Sequence, residues 1–290
     1  MNEYDAKDCR SVLYMPANNQ RAVAKGPTLN ADAIILDLED SVGVEEKVTA
    51  RSQAVKAIGG VDYGHRVKAI RINSAETVWH KEDVAAVAEA QPHALVIPKV
   101  ESAEDIIAVS DLLDSMPNTD HINLWAMIES PLAVLNAKSI ATESGNRLKA
   151  LLIGNNDLAK SANMQVSSDR TYLIPWFMQL VAVAHAHSLA LFDGVYNNFS
   201  DLDGFSRECE EGRAMGMHGK ALIHPSQIDI TNRIYSPGQD EIEQATAIVE
   251  AFSKDENQGV GVLQINGEMV ERLHLQMAER LLAKVSRSNS

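Results

Sequence analysis

The sequence predicts a (β/α)8 barrel, and three observations carry that reading. Eight short apolar runs recur between residues 11 and 225. Most are separated by segments of helix length, and none shows the strict polar alternation of a strand with one wet face. Alternating strand and helix over this length fits a closed barrel better than an open doubly wound sheet. The chain has 290 residues, 45% of them hydrophobic, which is enough to fill one large core.

The runs, in order, are SVLYMP (11–16), DAIILDLED (32–40), RVKAIRIN (66–73), HALVIPKV (93–100), INLWAMIES (122–130), LKALLIGNND (148–157), LALFDGV (189–195) and GKALIHP (219–225). Each is rich in Ile, Leu, Val and Ala, as parallel strands covered on both faces require. The intervening stretches 75–90 and 101–116 place apolar residues at i, i+3 and i+4, which predicts amphipathic helices. No G-x-G-x-x-G opens a helix after the first run and no G-x-x-x-x-G-K-[ST] occurs. The HGKA at 218–221 lacks the rest of that second motif. Past the eighth run come a Pro/Gly turn (236–241), a helical stretch (241–254), a glycine-containing hairpin candidate (259–267) and an amphipathic stretch (268–285). The expected division is therefore a catalytic barrel over 1–232 and a C-terminal extension or lid over 233–290. The apolar face of the extension is expected to be buried either on the barrel or on a neighbouring subunit, the latter favoured.

Lys and Arg total 26 against 40 Asp and Glu, a net charge of −14. That balance argues against a nucleic-acid or anionic-membrane partner while leaving room for a local basic grip on one phosphorylated cofactor. The two cysteines, Cys9 and Cys209, make neither a disulfide scaffold nor a C-x-x-C site. The first ten residues are acidic and polar, and no run approaches the ~20 apolar residues of a membrane helix. A soluble cytoplasmic protein is expected.

Barrel active sites are built at the carboxyl ends of the strands, and here those ends are acidic. Asp37, Glu39 and Asp40 close the second run, Arg71 and Asn73 the third, and Lys99 the fourth. Glu129 closes the fifth, Asp157 the sixth, Asp193 the seventh, and His224 and Gln227 the eighth. Carboxylates converging on one mouth repel unless a cation neutralises them, and hard oxygen donors favour Mg2+ or Mn2+ over zinc. Glu129 and Asp157, on adjacent strands, are the best-placed pair. Structural readings stand beside these. Asp40 and Asp157 sit where helix N-caps occur, Arg71 and Lys99 would neutralise the DLED cluster, and His224 would order a turn. His185 and His187 read as ordinary helix residues.

Seven segments in order carry a resemblance: RSVLYMP (10–16), DLEDSV (37–42), RIN (71–73), PKVE (98–101), IESP (128–131), GNNDL (154–158) and GKALIHPSQI (219–228). Together they resemble the citrate lyase beta-subunit-like acyl-CoA lyases of the HpcH/HpaI aldolase superfamily, relatives of malyl-CoA and citramalyl-CoA lyases. The resemblance implies a Mg2+-dependent barrel that makes or breaks a carbon–carbon bond between an acyl-CoA and a 2-oxo acid. It places the metal on Glu129 and Asp157, and Arg71 beside the thioester oxygen. Glu39 and Asp40 would hold metal-bound waters, Arg10 would shape the site, and Arg21 and Lys25 would meet CoA phosphates. It also implies a homo-oligomer, trimer or hexamer. In the tail, NGEMVERL (266–273) stands where the family has D-G-x-M-I-D-x-P, so Glu271 replaces an acid/base Asp and the proline is missing. Two alternatives remain at this point. One is a metal-dependent 2-oxo-acid aldolase without CoA, and the other a β subunit acting on an acyl-carrier protein inside a citrate lyase-type complex.

Overall fold

The structure, a computed structural model describing residues 4–165, 169–265 and 267–288, is a closed barrel of eight parallel strands in sequence order. The strands are β1 (Ser11–Pro16), β2 (Ala33–Asp37), β3 (Val67–Arg71), β4 (Ala94–Ile97), β5 (Asn123–Ile128), β6 (Leu148–Ile153), β7 (Ala190–Asp193) and β8 (Gly219–Leu222). Pairing of β1 with β8 closes the ring, Ser11 opposite Lys220 and Leu13 opposite Leu222. Around it run α1 (Gln20–Lys25), α2 (Lys47–Gly60), α3 (His80–Ala90), α4 (Ala103–Asp114), α5 (Pro131–Glu143), α6 (Asn155–Ser161), α7 (Ile174–Ala186), α8 (Leu202–Met215) and α9 (Ile228–Tyr235).

The strand sequences read as continuous apolar runs because each face of the sheet meets a different core. Alternate residues Val12, Ala33, Ile35, Val67, Ala69, Val96, Trp125, Met127, Leu152 and Phe192 point inward and fill the barrel. Their neighbours Leu13, Ile34, Leu36, Ile70, Leu95, Leu124, Leu151 and Leu191 face the helices. Continued one step past the apolar layers, the inward series reaches Asp37 on β2, Arg71 on β3 and Glu129 just beyond β5. Period-two geometry alone thus delivers three charged groups to the top of the barrel. Asp37 and Arg71 are directly opposite in the β2–β3 register.

Backbone contacts divide the chain into two compact units, Met1–Tyr235 and Ser236–Ser290. The second holds α10 (Gln239–Ser253), an antiparallel hairpin of β9 (Val262–Ile265) and β10 (Glu268–Glu271), and α11 (Arg272–Ser288). Its own core joins Ala245, Ile248, Phe252, Val270 and Ala278. The stretch that reads as amphipathic from 268 therefore begins as a strand. Residues 268–271 pair with 262–265, and the helix starts only at Arg272. Among the described residues no helix is long and apolar enough to cross a membrane.

Candidate active site at the barrel mouth

Asp37 is the floor of the site. Its carboxylate takes two bonds from Arg71, Nε to Oδ1 at 2.6 Å and Nη2 to Oδ2 at 2.7 Å, and further bonds from the Glu39 amide and from the Ser41 amide and hydroxyl. Burial alone would raise this carboxyl, but the Arg71 charge and these donors outweigh it and hold Asp37 below its ordinary range. Arg71 in turn is pushed well above its usual value, because the attraction of Asp37 overcomes the cost of burial. A two-pronged pair of this kind fixes the guanidinium plane. It leaves Nη1 facing Glu39 Oε2 at 3.2 Å, Asp40 Oδ2 at 3.8 Å and the thioether of Met127 at 3.6 Å.

Glu39 is buried, yet no hydrogen bond reaches either of its carboxylate oxygens. Arg71 and Lys99 Nζ, at 3.4 Å, stand near as ion-pair partners only. Burial raises its proton affinity, with Arg71 opposing and Asp40 reinforcing the rise. Lys99, in a left-handed conformation at φ 53°, turns its backbone amide onto Glu129 Oε1 at 2.6 Å. Glu129 is buried, and that burial together with the charge of Glu39 pushes its pKa up to about 7. Its second oxygen rests against Gly154, where a side-chain carbon would come within 2.6 Å of Oε2. Only glycine leaves that space.

Asp157 is the third residue of α6 and lines the same cleft of about 300 Å³ as Tyr14, Asp37, Asp40, Arg71, Met127 and Glu129. A larger cleft of about 720 Å³ adjoins it and shares Glu129 and Asp157, with Ser74, His80, Lys99 and Lys160 on its walls. The N-cap reading of Asp157 fails, since Gly154 occupies the cap of α6. Asp40 caps no helix either, the next 3-10 turn being capped by Gly43. Among the described residues no three His, Cys, Asp or Glu side chains gather as a self-sufficient metal cage. The donor set fits a hard cation that keeps waters: two carboxylates, Glu129 just past β5 on a glycine floor and Asp157 in the first turn of α6, beside a buried Glu39 whose oxygens lack hydrogen-bond donors.

The remaining expected residues divide by location. Arg21 and Lys25 lie on one side of α1 and are exposed, Arg21 beside an open cleft with Asn18, Asn19 and Ser41. Arg10 does not reach the mouth. It precedes β1, at the opposite end of the barrel, and is held there by Asp32 through Nε and Nη2, both at 2.8 Å. Its place immediately before the strand puts it at the amino-terminal rim, so the expectation that it shapes the site is corrected. Asp193 is likewise removed from the mouth. As the outward neighbour of Phe192 it faces the helices and is fully buried against Lys220 Nζ at 2.7 Å and Arg170 Nη1 at 2.7 Å. Glu271 belongs to the second unit, at the end of β10, exposed, with its amide bonded to His274 Nδ1. His224 caps the turn Pro225–Gln227 by accepting from the Ser226 amide. Tyr14, Met127 and Gly154 were not singled out from sequence. The available signal was the inward parity shared by Val12 and Tyr14 on β1 and by Trp125 and Met127 on β5.

The family described as HpcH/HpaI aldolase/citrate lyase matches residues 10–225. The chain is 44% identical over 281 residues to the (3S)-malyl-CoA thioesterase of Cereibacter sphaeroides, covering 97% of this chain and 96% of the relative. It is 33% identical over 287 residues to the citrate lyase subunit beta of Leuconostoc mesenteroides subsp. cremoris, covering 97% and 94%. Among solved structures it resembles CitE from Mycobacterium tuberculosis in complex with magnesium, acetoacetate and coenzyme A. There the identity is 25% and the TM-score 0.79, over 97% of this chain and 99% of that one.

Proposed function

The chain belongs to the HpcH/HpaI aldolase/citrate lyase family, and from that premise we propose a divalent-metal enzyme of malyl-type coenzyme A thioesters. It would split a 3-hydroxyacyl-CoA into an acyl-CoA and a 2-oxo acid, or run that reaction in reverse. The observation that carries the reading is the 300 Å³ cleft lined together by Arg71, Asp40, Glu129 and Asp157, with buried Glu39 3.2 Å from Arg71 Nη1 behind its wall. Cleavage needs one group to accept the hydroxyl proton and another to bear charge growing on the thioester oxygen. This cleft supplies both signs at the top of one barrel.

Glu129 and Asp157 would hold Mg2+, or Mn2+, which supplies Lewis acidity toward the 2-hydroxy carboxylate of the substrate. The substrate hydroxyl gives its proton to a carboxylate of the mouth, Glu39 being the buried one without a hydrogen-bond donor. The O–H electron pair becomes the carbonyl of the 2-oxo acid as the adjacent carbon–carbon bond breaks. That bond's electron pair moves onto the thioester as an enolate, and protonation of its α-carbon releases the acyl-CoA. Arg71 Nη1 meets the enolate oxygen, because its other nitrogens are committed to Asp37 and cannot turn away. Asp40, and Glu39 before it takes that proton, order water at the mouth, Arg21 and Lys25 meet CoA phosphates, and the working form is a cytoplasmic homo-oligomer in which the tail is donated between subunits and its Glu271 returns a proton to the enolate α-carbon.

A second reading is hydrolysis of the thioester, favoured by the relative at 44% identity whose name is a malyl-CoA thioesterase. A third, action on a carrier-protein thioester, is favoured by the relative named a citrate lyase subunit. Incubation with Mg2+ and malyl-CoA, followed by mass spectrometry, separates the first two. Acetyl-CoA plus glyoxylate marks the lyase, and free CoA plus malate without acetyl-CoA marks hydrolysis. Acetyl- or propionyl-CoA with glyoxylate, pyruvate or oxaloacetate tests the reverse direction. No turnover of any thioester, unchanged by EDTA, refutes the proposal.

A further inference from the structure

Beside Arg71 the mouth holds a second donor aimed at the same point. Tyr14 rises from β1 into the 300 Å³ cleft, and the Arg71 guanidinium lies over its ring at 4.9 Å. Among the described residues the one acceptor its hydroxyl meets is Met127 Sδ, at 3.7 Å. Arg71 Nη1 approaches that same sulfur at 3.6 Å. A thioether is a weak acceptor, so two strong donors converge on a group that satisfies neither, on the wall of a cleft lined by the Glu129 and Asp157 carboxylates.

We propose that Tyr14 Oη and Arg71 Nη1 form a paired cradle for the thioester oxygen of the substrate, with Tyr14 a catalytic hydrogen-bond donor to the enolate. The inference rests on the thioester chemistry proposed above. An oxygen displacing Met127 Sδ as the shared acceptor receives one charge-assisted bond from the guanidinium and one neutral bond from the phenol. Both strengthen as the breaking carbon–carbon bond delivers its electron pair to that oxygen. The hydroxyl proton of the substrate goes to a mouth carboxylate and the α-carbon takes one back, so Tyr14 donates a hydrogen bond and gives up no proton. Burial keeps the phenol protonated well above its ordinary range, with Arg71 opposing and the nearby carboxylates reinforcing that rise, and it stays a donor through neutral and alkaline pH. The ring also supports the guanidinium from below through its face. Tyr14 therefore has two separable parts: a hydroxyl for the substrate and a ring for Arg71.

The test is Tyr14→Phe beside Tyr14→Leu, assayed with Mg2+ and malyl-CoA by both acetyl-CoA and free-CoA formation, with thermal melts of all three proteins. Phe keeps the ring under Arg71 and loses only the hydroxyl. The expected result is a kcat lower by on the order of 10²-fold in Tyr14→Phe, with KM for the thioester within about twofold and an unchanged melting midpoint. Tyr14→Leu should lose more, in kcat and KM together. Full kcat in Tyr14→Phe with a defect only in Tyr14→Leu would reduce Tyr14 to a prop for the guanidinium and overturn the cradle while leaving the thioester reading intact. A wild-type protein that turns over no thioester overturns both.

Discussion

A methyl group at residue 154 would come within 2.6 Å of Glu129 Oε2, so the smallest substitution in the mouth acts on the candidate metal ligand directly. Gly154→Ala is expected to abolish the stabilisation of the protein by Mg2+ in a thermal-shift assay and also to lower the metal-free midpoint, because the added carbon would lie 2.4 Å from Glu129 Cβ as well. A retained Mg2+ response would show that Glu129 is not held on the glycine floor. Arg71→Lys tests the fork geometry: lysine keeps the charge but cannot span both Asp37 oxygens while facing the cleft. Steady-state assay should give a kcat/KM lower by roughly 10²–10³-fold. The Glu129 pKa of about 7 sets a pH window for metal binding. Protons compete with the cation as pH falls through 7, so apparent Mg2+ affinity should drop about tenfold between pH 8 and pH 6. Titration calorimetry measures this, and Glu129→Gln should leave only weak, pH-flat binding. The same shift has the opposite sign for the metal-free fold. A carboxyl whose pKa is raised by burial contributes stability below its unfolded value near 4.5, and that contribution is lost as pH rises through 7.

At the level of elements, β7 and β8 are tied to α8 by charges rather than by apolar contact alone. Lys220 on β8 bonds Asp193 at 2.7 Å and Glu208 at 2.6 Å, and Arg170, before α7, reaches Asp193, Glu208 and Glu211. Lys220 and Asp193 have no exposed surface. Burial raises Asp193, but the charges of Lys220 and Arg170 overcome it and hold its carboxyl below the ordinary range. Gly212 on α8 is required there, since an added carbon would lie 2.5 Å from the Tyr235 hydroxyl and 3.0 Å from Asp193 Oδ2. Removing one member of such a network strands the others without solvent. Lys220→Met should cost about 3–5 kcal/mol and lower the melting midpoint by roughly 10 °C, read by circular dichroism. A loss below 1 kcal/mol would mean that the helices reorganise around the gap.

For the molecule as a whole, the two large apolar clusters lie within residues 6–235 and the third within 245–282. Each unit therefore has a core of its own, and in the first the β1–β8 pairing leaves no open sheet edge. A fragment of residues 1–235 is expected to melt cooperatively with the parallel-barrel circular dichroism of the full chain. A fragment without a cooperative transition would show that the barrel depends on the remaining residues.

The repeated strand and helix, the eight strand positions and the acidic strand ends were legible in sequence, because burial of both sheet faces imposes continuous apolar runs and helix burial imposes a 3.6-residue period. So were Glu129, Asp157, Arg71 and Glu39 as residues of one mouth, since the strands of a barrel end on one side. Polarity at a strand end does not say which way a side chain points. Asp37 and Asp193 look alike as closing residues, and register alone turns one into the barrel and the other onto α8. Arg10 sits one residue before its strand and Arg71 at the end of its own, which places them at opposite rims. Glu271 reads as part of an amphipathic stretch, but backbone pairing of 268–271 with 262–265 makes it the end of a strand. Local sequence determined the elements and their order. Tertiary structure decided which neighbours share a pocket, because Tyr14, Met127, Gly154 and Glu129 lie far apart in the chain and meet only when eight strands close into one ring.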